Sequence, residues 1–467
     1  MIVRPRRSAG TVALSVPTGR RLSMLVLALA LLGAPALVLR VLCVGSACDA
    51  SGALAGTAVP FCGLPLELRR EIAAGFREGR SPDVMAATAA LDLVSTDMPA
   101  NGRIPWPGAA NTRDTSGVPD TRVPIAFFGA GIDPGAILSG IALDSIAATL
   151  EAVTGLRRDH PEVRTGEAIA GVATNDVDAM TPLVVLIAWK GVGTPDLERA
   201  PGDWPFLAST LKTGAGSLEA VTGSLPLDPA AMLTTIGTGG LPSSHGITGT
   251  LLREDDGDVS RAWSTADAGS VIATFADDLD HDTVERARVA AILTDDSDRG
   301  IIGNGWYLDA GKDDRVALVG DGSTHQALQA RQMMTSQELG ADEVTDLLGI
   351  VLDGRVARVD AATADVVAAV GELVPDATFV VAGTGSTRNK ASIDAADLGS
   401  RVDASLGADV VRGVAADGLF LDRAVLVERS ITSERVADAL RRERSPNGAP
   451  LFADVYPSFA VAFSRYC

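Results

Sequence analysis

The sequence predicts an α/β, doubly wound fold: a mainly parallel sheet with helices on both faces. Three observations carry this. Short β-branched runs alternate with longer stretches of helical periodicity. The runs are apolar throughout, as strands buried on both faces are, rather than apolar at every second residue. Beyond residue 60 there is neither an internal repeat nor a low-complexity linker, so one compact body of about 400 residues fits better than several small domains.

In chain order, residues 66–78 read as a helix, 122–128 as a strand and 143–154 as a helix. Residues 183–188, Leu-Val-Val-Leu-Ile-Ala, are the clearest strand, followed by a helix over 205–212. Strands over 288–293, 315–319, 347–352 and 378–382 come next, with a helix over 356–370 between the last two. A helix over 433–442 completes the alternation, which is the pattern of parallel strands joined by helical crossovers. The apolar, turn-punctuated segments 418–421 and 451–457 read as late strands packed onto the core.

The first forty residues set the expected compartment. Arg4, Arg6, Arg7, Arg20 and Arg21 precede an uncharged apolar run over 22–39. At about 1.5 Å per residue the run is about 27 Å long, close to the roughly 30 Å hydrocarbon core of a bilayer. Basic residues before an apolar run keep the N-terminus inside and send the rest out. The division expected is a basic cytoplasmic segment over 1–21, a signal anchor over 22–44 and an exported domain over 62–467. The alternative is a signal peptide cleaved near Gly45-Ser46-Ala47, giving a secreted protein. The twin-arginine and lipobox patterns both fail: Ser23 follows Arg21-Leu22 where an apolar residue is wanted, and no aliphatic residue stands three before Cys48.

The chain carries 59 acids against 40 bases, a formal charge of −19, which argues against a nucleic-acid-binding surface. The acid runs 254–258 and 277–282 read as solvated loops. Four cysteines and four histidines exclude a disulfide-built scaffold and leave little histidine for metal ligation. In an oxidising compartment, a bridge from Cys62 or Cys48 to Cys467 would tie the first exported segment to residue 467.

Several catalytic signatures are missing. There is no G-x-S-x-G elbow and no H-E-x-x-H, and 300–305 is out of register for a dinucleotide fingerprint. Gly383-Thr384-Gly385-Ser386-Thr387 follows a strand and could offer backbone N–H groups to an anion, but it lacks a P-loop ending, so a plain tight turn is the better reading.

One long string rises above this background. Residues 183–191 run Leu-Val-Val-Leu-Ile-Ala-Trp-Lys-Gly, followed by Thr194-Pro195-Asp196-Leu197, then Thr238-Gly239 and Pro242-Ser-Ser-His-Gly-Ile-Thr-Gly249. This resembles the opening of the alkaline-phosphatase superfamily, in particular its type I phosphodiesterase / nucleotide pyrophosphatase branch. There a V-L-I-S-x-D-G strand leads through the nucleophile segment to T-G-x-x-P-x-x-H-G-I. Residues 376–382 resemble the strand leading into the family's T-S-D-H-G. Residues 120–132 with 144–149 resemble its closing segment, D-x-x-V-P followed by D-x-A-P-T. That segment ends the family's domain but comes first here, which implies a circular permutation.

The resemblance implies phosphoester hydrolysis by a Ser/Thr nucleophile and two metal ions, usually zinc, held by Asp and His. Measured against that pattern, this sequence has lost most of its ligands. Lys190 stands where the family's first aspartate is, and Thr384-Gly385 stand where its Asp-His pair is. Ser145 takes the place of the D-x-A-P-T aspartate, with Asp144 beside it. Asp228 stands at the nucleophile, with Thr222, Ser224 and Thr234 nearby. An ammonium about 4 Å from a cation costs on the order of 4 kcal/mol per unit charge at an effective dielectric of 20. A divalent ion roughly doubles that, an upper bound because a lysine can swing away. If the register is off by one, Lys190 is only a solvent-facing loop residue.

Two readings follow. The first is a surface-displayed domain of this fold without metal catalysis, in which Lys190, Thr384 and Ser386 hold an anionic group or the domain serves an envelope protein; no cofactor is expected. The second is a working metallo-phosphodiesterase with re-sited zinc or other divalent-metal ligands. Its candidates are Asp321 and His325, which keep the family's D-x-x-x-H spacing, and the loop 295–298; for the pair a surface loop is the better reading. His245 matches a position that is not a ligand in the family and reads as a hydrogen-bonded structural histidine.

Overall fold

The computed structural model describes residues 61–88, 120–136, 140–158, 160–174, 181–265, 268–307, 314–319, 325–387, 394–415, 417–444, 448 and 450–467. Fourteen strands are seen among them. In chain order they are β1 (Val84–Thr88), β2 (Arg122–Gly129), β3 (Gly135–Ala136), β4 (Leu183–Lys190), β5 (Ala215–Val221), β6 (Leu251–Arg253) and β7 (Val259–Arg261). Then follow β8 (Val289–Leu293), β9 (Arg315–Leu318), β10 (Asp346–Asp353), β11 (Thr378–Gly383), β12 (Val411–Ala415), β13 (Gly418–Leu421) and β14 (Phe452–Pro457).

The main sheet has eight strands in the order β3-β5-β2-β11-β4-β10-β8-β9. From β11 to β9 every pairing is parallel, while β2 runs antiparallel to both β11 and β5. Strand β4 lies between β11 and β10 and is buried along its whole length. Its side chains alternate between two cores. Val184, Leu186 and Ala188 face Leu150, Met232, Leu233, Ile236, Phe275 and Leu279. Leu183, Val185, Ile187 and Trp189 face Leu207, Met334, Val359 and Val366. That is why the strand reads as a continuous apolar run: each face must be dry against its own layer of helices.

The tail departs from the expectation that segments 418–421 and 451–457 pack onto the main core. They form β13 and β14 of a separate four-stranded antiparallel sheet, in the order β12-β13-β1-β14. This sheet shares a core of its own with the helices Ala395–Leu406 and Ser433–Arg441, among them Leu398, Val402, Val436 and Leu440. Asp83 joins it to β6: its carboxylate accepts from Arg253, from the Leu421 N–H at 2.8 Å and from Arg423 Nε at 3.1 Å. The chain from Val59 to Cys467 forms one compact unit.

Among the described residues no helix is long and apolar enough to cross a membrane; the 22–39 run, Cys43, Cys48 and Asp321 lie outside them. The acid run at 254–258 is largely exposed in the β6–β7 turn. The run at 277–282 is not a solvated loop. It lies in the helix Phe275–Asp282, where Asp277, Asp278 and Asp280 are buried. Each of the first two is supplied with donors: Thr274, Gly305 and Trp306 for Asp277, and Arg158, Arg164 and Tyr307 for Asp278.

Candidate functional site

The parallel strands end in a polar rim built from the turns after β4, β8 and β11. Strand β4 ends on Lys190, and Gly191 turns the chain with a φ of 70° that favours glycine. The turn after β11 is stitched onto this one. Thr384 N donates to Trp189 O at 3.2 Å, Gly385 N to Val192 O at 3.1 Å and Thr387 N to Gly191 O at 3.2 Å. Gly193 must lack a side chain, since a Cβ there would stand 2.7 Å from Ser386 N. Residues 383–387 are therefore the tight turn. Three of the N–H groups that could have cradled an anion are spent on neighbouring carbonyls.

The hydroxyls expected to bind a ligand are engaged within the chain. Thr384 Oγ1 accepts from Gly191 N at 2.8 Å, and Ser386 Oγ accepts from Arg199 Nη2 at 3.1 Å.

Lys190 is 4% exposed, which removes the solvent-facing alternative. Its ammonium donates to Asp298 Oδ1 and, at 3.1 Å, to Thr294 Oγ1. Where Lys190 was expected to hold an outside anion, a carboxylate of the chain itself takes that place. Asp298 is fully buried and well supplied: its Oδ2 accepts from Thr294 N at 3.1 Å, Thr294 Oγ1 at 2.5 Å and Asp295 N at 3.0 Å. Beside it, Asp295 accepts from Ser297 N and Oγ and pairs with Arg261. Burial pushes the Asp295 carboxyl up, but the Ser297 bonds and the charges of Arg261 and Lys190 outweigh it and hold it below the ordinary carboxylate range. Asp295 and Asp298 of the candidate loop 295–298 are thus bound to cations that the protein already owns, while Asp296 is exposed.

Asp228 stands at the N-terminus of the helix Pro229–Thr238 as its cap, a role that aspartate fills well. Its carboxylate accepts from Ala230 N at 2.9 Å, Thr250 N at 2.9 Å and Thr250 Oγ1 at 3.1 Å. Burial pushes its pKa up, with the Thr250 and Ala230 bonds opposing. At the position implied for a hydroxyl nucleophile the chain thus places a buried structural carboxylate. Ser224 and Thr234 do not replace it: Ser224 Oγ is buried without a hydrogen-bond partner among the described residues, and Thr234 Oγ1 donates to Ala230 O. A second buried acid, Asp417 in the β12–β13 turn, is raised to about 7 by burial and by the nearby Asp228 charge.

His245 is fully buried. Its Nδ1 accepts from Ile247 N at 3.1 Å, which leaves the proton on Nε2, 3.1 Å from Thr235 Oγ1. Burial first, then Arg77 and Arg80, lower its pKa to about 3, so it is a neutral structural histidine. His325 is exposed at the start of the helix Gln326–Gln337, and Asp321 lies outside the described residues. Among the described residues no three His, Cys, Asp or Glu side chains converge as a metal-ligand set. With an ammonium buried where the resemblance implies an aspartate, the donors among the described residues do not fit the implied metal pair.

Sequence reasoning missed the ion cluster of Arg158, Arg164 and Asp278, buried beneath the 238–249 segment. Arg158 Nη2 and Arg164 Nε both donate to Thr238 O, at 3.0 and 3.2 Å. A capping box, Thr274 with Asp277, was the available signal that 277–282 is helical. A polar pocket of about 730 Å³ lies at the opposite end of the sheet, lined by Arg288, Arg315, Glu338 and Asp342 among others, and has no connection to Lys190. A disulfide joins Cys62 to Cys467, with Cα atoms 5.1 Å apart.

The fold and its rim define a doubly wound α/β domain with a polar constellation at the C-terminal ends of its parallel strands, where such sheets place their sites. Residues 184–294 match the family described as Type I phosphodiesterase / nucleotide pyrophosphatase. The matched stretch covers β4, the Asp228 helix, the 238–249 segment and β8. No curated protein matches. Among solved structures, wild-type alkaline phosphatase PafA is similar at 14% identity and a TM-score of 0.40, over 56% of this chain and 76% of that one. A quadruple mutant of PafA is similar at 15% identity and a TM-score of 0.40, over 55% and 75%.

Proposed function

We propose that this protein is an alkaline-phosphatase-fold domain, anchored by residues 22–44 outside a membrane, that acts by binding rather than by metal-dependent phosphoester hydrolysis. The observation that carries this reading is the buried pair of Lys190 with Asp298. A metal centre gathers carboxylates around an external cation. Here the cation is a side chain, covalently fixed to β4, and it draws in the loop after β8. A divalent ion entering the same space would meet an ammonium at close range. The Asp228 cap supports the reading from the other side, since a carboxylate committed to a helix N-terminus and Thr250 supplies no alkoxide.

With Lys190, Thr384 and Ser386 all engaged internally, a partner protein of the envelope fits the domain better than an anionic small molecule held at this rim. We also propose that the domain is circularly permuted. Strand β2 comes first among the main-sheet strands in the chain, yet it pairs in mid-sheet between β5 and β11. The Cys62–Cys467 bridge holds the two ends of the body together, as a permutation requires.

The test is elemental analysis of the purified full-length chain together with hydrolysis of bis(p-nitrophenyl) phosphate in added zinc or manganese. Absence of stoichiometric metal and of turnover is expected, and Lys190→Asp alone should restore neither. Two ions per chain with turnover that disappears on chelation would overturn the reading and favour re-sited ligands.

A further inference from the structure

We propose that the corner formed by residues 61–70 and 458–466 is a docking surface for an anionic lipid bilayer. This rests on the reading of residues 22–44 as a membrane anchor. Three aromatic side chains stand out into solvent there: Phe459 at 46%, Phe463 at 56% and Tyr466 at 70% exposure. Phe463 N donates to Phe459 O, so the two phenylalanines lie one helical turn apart on the same side of the helix Ser458–Ala462. The Phe463 and Tyr466 rings are 5.9 Å apart. Leu66, 52% exposed, opens the helix Leu66–Ala74 four residues after Cys62.

Burial of Phe61, Met85, Tyr456 and Val461 beneath this layer supplies the local core, so the exposed rings are not needed to hold the corner together. Exposed aromatics gathered on one side are the group that membrane–water interfaces select, because a ring buries its body among acyl chains and a tyrosine keeps its hydroxyl at headgroup level.

Two further facts choose the occupant. The Cys62–Cys467 bridge ties the aromatic corner to Cys62, among the first described residues, and in the sequence that residue follows the apolar 22–39 run, which is long enough to span a bilayer. The corner is also locally basic on a chain of net charge −19: Arg69, Arg70 and Arg465 against exposed Glu67, with the Arg465 guanidinium 4.8 Å from the Tyr466 ring centroid. Basic side chains beside a membrane anchor are drawn to anionic headgroups. An acidic body would otherwise be repelled by them, so this corner is where approach costs least.

The experiment reconstitutes the full-length chain into phosphatidylcholine vesicles carrying a diazirine-tailed phosphatidylglycerol, illuminates them, reduces the disulfide and maps lipid adducts by peptide mass spectrometry. Adducts on 458–467 as well as on 22–39 are expected. They should fall about tenfold on 458–467 in a Phe463→Ser/Tyr466→Ser variant, whose exposed positions leave thermal unfolding unchanged. Adducts confined to 22–39 would overturn the inference and leave the anchor standing. Crosslinks from 458–467 to a second copy, in place of lipid, would likewise overturn it. No adduct on either segment would overturn both.

Discussion

At Lys190 and Asp298 opposite charges meet inside the body; at Asp228 and Asp417 two acids are buried side by side, and the donors to Asp228 are the neutral groups of Ala230 and Thr250. Both corners lie where the resemblance implies catalytic machinery or beside it, and both are buried. In the first, the charges offset one another directly. In the second, no fixed counter-charge stabilises the anions, so a proton does, and Asp417 titrates near 7. Burial alone therefore does not make a reactive site. A paired buried charge is a structural joint, whereas an unpaired acid responds to its surroundings.

The largest effect should come from breaking the joint. Lys190→Met leaves Asp298 buried without its cation and is expected to cost about 3–5 kcal/mol in denaturant unfolding. Replacing both partners, Lys190→Met with Asp298→Leu, should recover much of that loss, because the buried charges leave together. A double variant as unstable as the single would mean that the Asp298 bonds to Thr294 and Asp295, rather than the ion pair, hold the β8 loop.

The acid pair should behave in the opposite way. The Asp417 carboxyl is ordinary, near 3.8, in the unfolded chain and near 7 in the folded one. Between these values the unfolded state gives up a proton that the folded state keeps, so stability falls as pH rises from about 4 to about 7 and is flat beyond. The full penalty is on the order of 4 kcal/mol. Asp417→Asn should therefore stabilise the protein above pH 7, by no more than that amount, and change little below pH 4. Unfolding curves across this range check it, and an equal effect at both ends would place the variant's action elsewhere.

His245 supplies the opposing limb. Its pKa is about 3 in the folded protein against 6.5 for the free side chain, so the unfolded state binds a proton that the folded state refuses. Stability should fall as pH drops below about 6.5, by about 1.4 kcal/mol per unit at most. His245→Gln should flatten this limb while leaving the Asp417 limb in place, which pH-dependent unfolding of the variant would read directly.

How much of this was legible in the sequence depends on how each element is buried. The strands that form β2, β4, β8, β9, β10 and β11 announce themselves because continuous apolar runs leave no other reading. The helix Pro229–Thr238 did not, since all ten of its residues are buried and it shows no polar face; only Pro229 at its start and Gly239 after its end mark it. The small sheet was hidden for another reason. Strand β1 lies more than three hundred residues from its partners in the chain, and no local pattern encodes such a pairing. At the site, Lys190 was visible as a charge in the wrong place, but its partner was not. Asp298 sits in an acidic loop indistinguishable from the exposed loop at 254–258 until the β8 turn brings it beneath the end of β4.

The smallest effect is the most discriminating for the acid corner. Asp228→Asn keeps a residue that caps helices as well as aspartate does, but its one oxygen can serve only one of the two amides, since Ala230 N donates to Oδ1 and Thr250 N to Oδ2, so stability near neutral pH should fall by about 0.5–1.5 kcal/mol. Asp228→Ala loses the cap and should cost about 0.5–2 kcal/mol. The informative quantity is what happens at a distance from either substitution. Part of the rise in the Asp417 pKa is the charge of Asp228, so both variants should shift the Asp417 limb of the pH–stability curve to lower pH, whatever they do to stability itself. If the limb stays near 7 in both, burial alone raises Asp417, and the two acids are neighbours that do not share a proton.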